Sequence, residues 1–316
     1  MSTFGRRQNA PDRPSGRAAL GFVGAVGIRR VSGALAGRYT VLKQLPGSES
    51  AEFYLARPVS SGKGLVKIKV LSPRAACDVS KRELFRLEAA AASKLDHINV
   101  LKTGEAVNID GINICVIEHR PWVETLRDLL HRKGWLDLNH AARVINQIAS
   151  AVGYAHKLNV LHLRLAPESI LIEPNGHVLV IDFGIDAAED LAWAHRERSQ
   201  SFQASYMSAE QKMGEPVDRR SDIYGLGLLL YEMLTDRLPF DSCEAGVLDR
   251  KKATNSPLPP FILSTGVAPA VSDIVMNLLE HDPARRPSRA EALQAALSGV
   301  LSASVDAAGN LTTKAR

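Results

Sequence analysis

The residues that could do chemistry centre on one short stretch, HLRLAPESIL, from His162 to Leu171, lying between a helical run and VLVIDFGI. It has the rhythm of a catalytic loop without the matching side chains. Arg164 carries a guanidinium that stays protonated and offers no acceptor, so it cannot take a proton from a nucleophile. Carboxylates that could serve it in sequence are Glu168, within the stretch, and Asp182 and Asp186 of the run that follows. Lys69 in VKIK and Glu88 in LFRLEAAAA stand far upstream, and each taken alone reads as a solvated surface charge. Cys77, Cys115 and Cys243 are widely separated, which argues against a disulfide framework and against a zinc site.

The elements that must position these groups fall into two blocks. Residues 1–37, rich in Arg, Gly, Pro and Ala, read as a flexible basic leader that is able to contact anionic surfaces. Arg38 to Leu45, Ala51 to Ala56 and Gly64 to Leu71 are strand-like runs between Pro and Gly punctuation. SKRELFRLEAAAASKL follows as a helix, with Ser80 and Glu83 at capping-box spacing, and two more strands are expected near Glu105 and at Asn113 to Glu118. After that the chain turns helical. NHAARVINQIASAVGYAHKL places Val144, Ile145, Ile148, Val152 and Ala155 on one stripe, and SDIYGLGLLLYEML is apolar nearly all round, as a buried central helix would be. Amphipathic helices close the block, and residues 301–316 read as a short polar tail. The expected fold is α+β and bilobal: a small β-rich lobe over about 38–119 and a larger helical lobe over about 124–300, with a ligand cleft between them.

Composition agrees with a folded chain. The 316 residues are 45% hydrophobic, enough to bury a sizeable core. Six of the 39 Lys and Arg residues but one of the 34 acids lie in residues 1–36, so the net charge of +5 belongs to the leader. The apolar run Ala18 to Ile28 is far shorter than the ~20 residues a membrane-spanning helix needs, and Arg29 and Arg30 interrupt any resemblance to a secretory signal. A cytoplasmic protein without a transmembrane span or a specific nucleic-acid partner is expected.

From residue 37 to about 300 the chain resembles a eukaryotic-like serine/threonine protein kinase domain of the bacterial type, on several motifs in the right order. The resemblance implies that Lys69 of VKIK pairs with nucleotide phosphates, that Glu88 holds this lysine, and that Asp182 of DFG binds Mg²⁺. It further implies structural roles for His162 and for Asp222 of SDIYGLG, which braces the loop backbone, and a buried ion pair between Glu210 of SAEQ and Arg286 of DPARRPS.

Where the family loop reads H-R-D-L-K-P-E-N, this chain has Arg164 in place of the base, Ala166 in place of the phosphate lysine, and Ser169 in place of the metal-binding asparagine. Leu163 replaces the arginine that grips a phosphorylated activation segment; Ser199, Ser201 and Ser205 remain in that segment. The glycine-loop positions hold Pro46, Ser48 and Ala51, and Pro46 has no N–H to offer phosphate. Phe53 and Lys67 stand where small residues roof the adenine, and are expected to block that pocket unless Lys67 snorkels outward.

These departures lead to the expectation of a pseudokinase: not an enzyme, requiring no cofactor, binding ATP and Mg²⁺ weakly or not at all, and acting on protein partners such as an active kinase or its substrate. The alternatives are a divergent active serine/threonine kinase using ATP and Mg²⁺, and a nucleotide-binding switch without turnover. RRVS, Arg29 to Ser32, also resembles a target of basophilic kinases.

Overall fold

The computed structural model describes residues 27–60, 64–186, 204–240 and 257–313. The first lobe is built on an antiparallel sheet of order β1-β2-β3-β5-β4, comprising β1 Tyr39–Leu45, β2 Ala51–Pro58, β3 Val66–Leu71, β4 Thr103–Ile109 and β5 Ile112–Glu118. Because side chains alternate along a strand, the register fixes two faces. Phe53 pairs with Lys69 and Leu55 with Lys67 across β2 and β3, while Lys69 pairs with Cys115 and Lys67 with Ile117 across β3 and β5. The opposite face carries Tyr54, Ala56, Ile68, Val70 and Ile114.

That outer face is covered by part of the supposed flexible leader. Residues 27–34 form helix α1, and Val31 and Leu35, both fully buried, pack on the outer-face cluster. Arg30 reaches Glu52 at 2.9 Å, and Glu52 also accepts a hydrogen bond from the Tyr54 hydroxyl. The expected boundary at residue 37 is therefore corrected for this part: Ile28, Val31 and Leu35 give α1 an apolar edge, and the sheet needs a cover.

The inner face is backed by α3, Val79–Ser93, which follows the short α2, Pro73–Ala76. Strong helix formers fill α3, and Phe85 and Ala89 pack beneath the sheet with Leu71 and Cys115. Its N-cap is Asp78, whose carboxylate accepts from the N–H groups of Ser80 and Lys81, rather than the expected Ser80. Glu83 instead pairs with Arg86 at 2.6 Å.

The second lobe is helical. β6 (Glu124–Thr125) leads into α4 (Leu126–Lys133), α5 (Leu138–Lys157) and β7 (Val160–Leu161). β8 (Ile170–Ile172) and β9 (Val178–Val180) pair beneath the cleft, and β10 (Ile185–Asp186) pairs with β7. Then come α6 (Ala209–Met213), α7 (Arg219–Thr235), α8 (Pro260–Leu263), α9 (Pro269–Leu278) and α10 (Glu291–Thr313). The stripe expected on α5 is wholly buried, and α7 is enclosed from Ser221 to Leu234. Gly225 of α7 lets the helix pack closely under the loop above, since a Cβ there would lie 3.0 Å from that of Leu165. Helix α10 continues through Thr313, so the expected tail from residue 301 is largely helical.

Candidate functional site

The cleft between the lobes encloses about 640 Å³ of empty space, part of it open to solvent, and is lined by Lys67, Lys69, Glu88, Cys115, Ile117, Asp182 and Phe183 among others. Lys69 projects from the inner face of β3, and its Nζ lies 3.7 Å from Glu88 Oε2 on α3. Both side chains are largely withdrawn from solvent, so little screening weakens the pair. Asp182 enters from the opposite lobe with φ +62°, a left-handed conformation that Asp tolerates better than most residues. Cys115 lies behind the lysine, and burial pushes its thiol up to about 11.

Lys67 does not turn outward. It lines the cleft, with its Nζ 4.3 Å from the centroid of the Phe53 ring. Burial lowers its pKa, Asp182 opposes that shift, and Lys69 adds to it. Two ammonium groups therefore share one cavity with two carboxylates.

The 162–169 loop is held from below. Asp222, 1% exposed, accepts from the N–H groups of His162 at 2.9 Å and Leu163 at 2.6 Å and lies 2.8 Å from His156 Nε2. Burial alone would raise this carboxyl, but hydrogen bonds and the nearby imidazoles hold it below its ordinary value. His162 is fully buried, its Nε2 is 2.9 Å from Ile181 O, and its ring meets Phe183 edge-on. Arg164 is half-buried. Ala166 is buried at the cap of a short turn, and the Ser169 hydroxyl donates to Ala166 O at 2.8 Å while accepting the Ala166 N–H. That hydroxyl thus closes the loop on itself. Glu168 is tied to Arg127 at 2.9 Å.

The turn joining β1 and β2 uses its own donors. Ser48 N–H bonds to Ala51 O at 2.8 Å, and Ala51 N–H bonds back to Ser48 Oγ. Gly47 is needed for this closure, since a Cβ there would sit 2.6 Å from Ala51 O. With Pro46 beside them, these positions offer a phosphate few backbone N–H groups.

Further from the cleft, Arg286 forms a bidentate pair with Glu210 at 2.7 and 2.9 Å, and Ser221 donates to the same carboxylate. Burial opposes ionisation of Glu210, but Arg286 and Ser221 keep its pKa low. Arg286 also donates to three backbone carbonyls, those of Arg220, Glu280 and His281.

Sequence reasoning missed His156 as a partner of Asp222. It also missed a node in which Arg127 binds Glu168, Glu232 and the Tyr206 hydroxyl, while Tyr206 donates to Glu232. No local spacing joins those residues; only the fold does. Ser199 and Ser201 lie outside the described residues, and Ser205 is exposed. Among the described residues no cluster of three or more His, Cys, Asp or Glu could hold a metal, and no helix is long and apolar enough to cross a membrane.

Residues 39–297 match the family described as the protein kinase domain. The chain is a member of that family. It is 33% identical over 279 residues to the serine/threonine-protein kinase pkn3 of Myxococcus xanthus, covering 84% of this chain and 50% of the relative. It is also 32% identical over 261 residues to the serine/threonine-protein kinase PrkC of Bacillus subtilis, covering 83% of this chain and 40% of that protein. The kinase domain therefore spans half or less of those relatives' length. Among solved structures, the Mycobacterium tuberculosis PknI kinase domain superposes with a TM-score of 0.66 at 23% identity, over 83% of this chain and 96% of that one, a likeness of fold.

These comparisons overturn the expectation of a chain that is not an enzyme. A family match across nearly the whole fold, with relatives named as kinases, points to a protein kinase enzyme. The family normally uses ATP and Mg²⁺.

Proposed function

We propose that this kinase domain is a divergent serine/threonine protein kinase that binds ATP with Mg²⁺ in the interlobe cleft and phosphorylates protein substrates slowly. The observation that carries this reading is the Lys69–Glu88 pair, at 3.7 Å, in the same cavity as Asp182. Lys69 is placed to meet phosphate oxygens, and Glu88 fixes its direction. A single carboxylate such as Asp182 suffices for Mg²⁺, which is commonly held by one or two carboxylates together with substrate phosphates. Ser169, engaged with its own loop, contributes little. When bound, ATP and Mg²⁺ supply the phosphoryl donor and neutralise its charge. Lys67, which lines the cleft with its ammonium over the Phe53 ring, takes up space that the base would need, so affinity is expected to be weak.

Arg164 cannot accept the substrate hydroxyl proton. Phosphoryl transfer depends chiefly on positioning and charge neutralisation, and a general base typically contributes about 10²- to 10⁴-fold. Its absence therefore slows the reaction without removing the remaining machinery.

The test is transfer of labelled γ-phosphate from Mg²⁺-ATP to a generic protein substrate. Slow incorporation is expected in the wild type, with none in Lys69→Ala or Asp182→Ala. Arg164→Asp should raise the rate by about 10²-fold by restoring a base. Wild-type incorporation no greater than that of Asp182→Ala would refute the reading.

A further inference from the structure

Leu163 occupies the position from which, on the family resemblance, an arginine would grip a phosphorylated activation segment. The fold gives this leucine a different partner. Leu161 at the end of β7, Leu163 of the loop and Val217, in the segment entering α7, are buried together, and Leu84 of α3 packs against them. Leu84 and Glu88 are one turn apart on the same helix, and residues at that spacing share a face. The surface that seats Leu84 is rigid. Leu163 is held at φ +58°, its N–H bonds to Asp222 Oδ1 at 2.6 Å, and its carbonyl accepts from Gln211 Nε2 at 2.8 Å. Leu161 is fixed by pairing with Ile185 of β10, a strand on which α3 also rests.

We propose that Leu84, Leu161, Leu163 and Val217 form an apolar latch that positions α3, so that Glu88 reaches Lys69 without any phosphate on the activation segment. The four are positioning residues; Glu88 and Lys69 meet the ligand. A charge-based grip would be switched by phosphorylation, whereas the packing of Leu84 on three buried aliphatic side chains does not depend on a modification. The consequence for nucleotide rests on the reading of the cleft as an ATP site; the latch itself is a statement about α3.

Two measurements on the full chain test it. Hydrogen exchange without nucleotide should show amides of Val79–Ser93 exchanging about 10-fold faster in Leu84→Ala, with α5 and α7 unchanged and Leu84→Met close to wild type. Calorimetric titration with Mg²⁺-ATP should show about 10-fold weaker binding for Leu84→Ala, no further loss when Leu84→Ala is added to Glu88→Gln, and recovery in Leu84→Met. Leu163→Arg should act in the same direction. If that variant does not fold, Leu84→Ala decides alone, because Leu84 is only half-buried and alanine favours helix. Phosphatase-treated and untreated protein should bind Mg²⁺-ATP equally. Unchanged exchange in Leu84→Ala, additive losses in the double variant, or affinity that falls on dephosphorylation would each overturn the latch. If wild-type protein bound no ATP, the proposed function would fail, and the exchange experiment would still decide the latch.

Discussion

Leu35→Ala should separate a packed α1 from a solvated leader. Leu35 is fully buried beside Val31 against Tyr54, Ala56, Ile68, Val70 and Ile114. Truncating a fully buried leucine costs about 2–5 kcal/mol, and a site at the edge of a lobe can partly collapse, which favours about 2–3 kcal/mol. The other attachment is weaker. Arg30 and Glu52 are both partly exposed, and such an ion pair contributes under about 1 kcal/mol. The loss should therefore appear first as local opening of α1, so hydrogen exchange over residues 27–36 is the assay, with a urea titration beside it. Ser32 reports the same event chemically. In RRVS, Arg30 is engaged and Val31 is fully buried, so a basophilic kinase added in trans can read the motif only after α1 leaves the sheet. At tenfold per ~1.4 kcal/mol, phosphorylation of Ser32 should accelerate roughly 30- to 100-fold in Leu35→Ala. A stability loss below about 0.5 kcal/mol with unchanged exchange would refute the packing argument, since no fully buried leucine is that cheap to truncate.

Trp122 is 87% exposed at φ +62°. Trp122→Gly should relieve left-handed strain of about 1–2 kcal/mol against about 0.5–1 kcal/mol of added unfolded-state freedom, and so raise the melting temperature slightly; a fall would contradict the strain. Glu210→Ala leaves the wholly buried Arg286 guanidinium without its carboxylate, and urea titration should show a loss of about 3–5 kcal/mol. Asp222 and Glu210 have folded pKa values below their ordinary 3.8 and 4.5. The unfolded chain thus takes up protons first as pH falls, so their stabilisation is complete above those values and is lost as pH drops through them toward the folded values. Urea midpoints should be flat above about pH 5 and decline below about 4; a midpoint that rises on acidification would show that these carboxylates are not held ionised by the fold.

Much of the fold was legible because its determinants are local. Strand alternation, the α5 stripe and the all-round apolar α7 each announce an element, and motif order arranges them. The boundary at residue 37 failed because the apolar edge of α1, Ile28, Val31 and Leu35, is three residues diluted by Arg, Gly and Ala. It becomes decisive only once the outer face of the sheet exists to receive it. Lys67 was legible from the pattern: two positions before Lys69 on one strand, it must share the cleft face, whatever the length of its side chain, and the outward turn left open as an alternative is not taken.

The loop shows a different limit. Reading Arg164, Ala166, Ser169 and Leu163 one by one as departures from a family pattern records what each residue no longer does. The fold adds what two of them do instead. Ser169 closes its own turn, and Leu163 joins an apolar cluster that reaches α3. Neither role has a signature within a few residues of its position, because the partners come from elsewhere in the fold. A count of lost catalytic side chains is thus an incomplete guide to activity here. On the latch proposed above, Leu163 replaces a charge-based grip and helps to direct Glu88 toward Lys69 across from Asp182, and phosphoryl transfer draws much of its rate from that kind of fixed geometry.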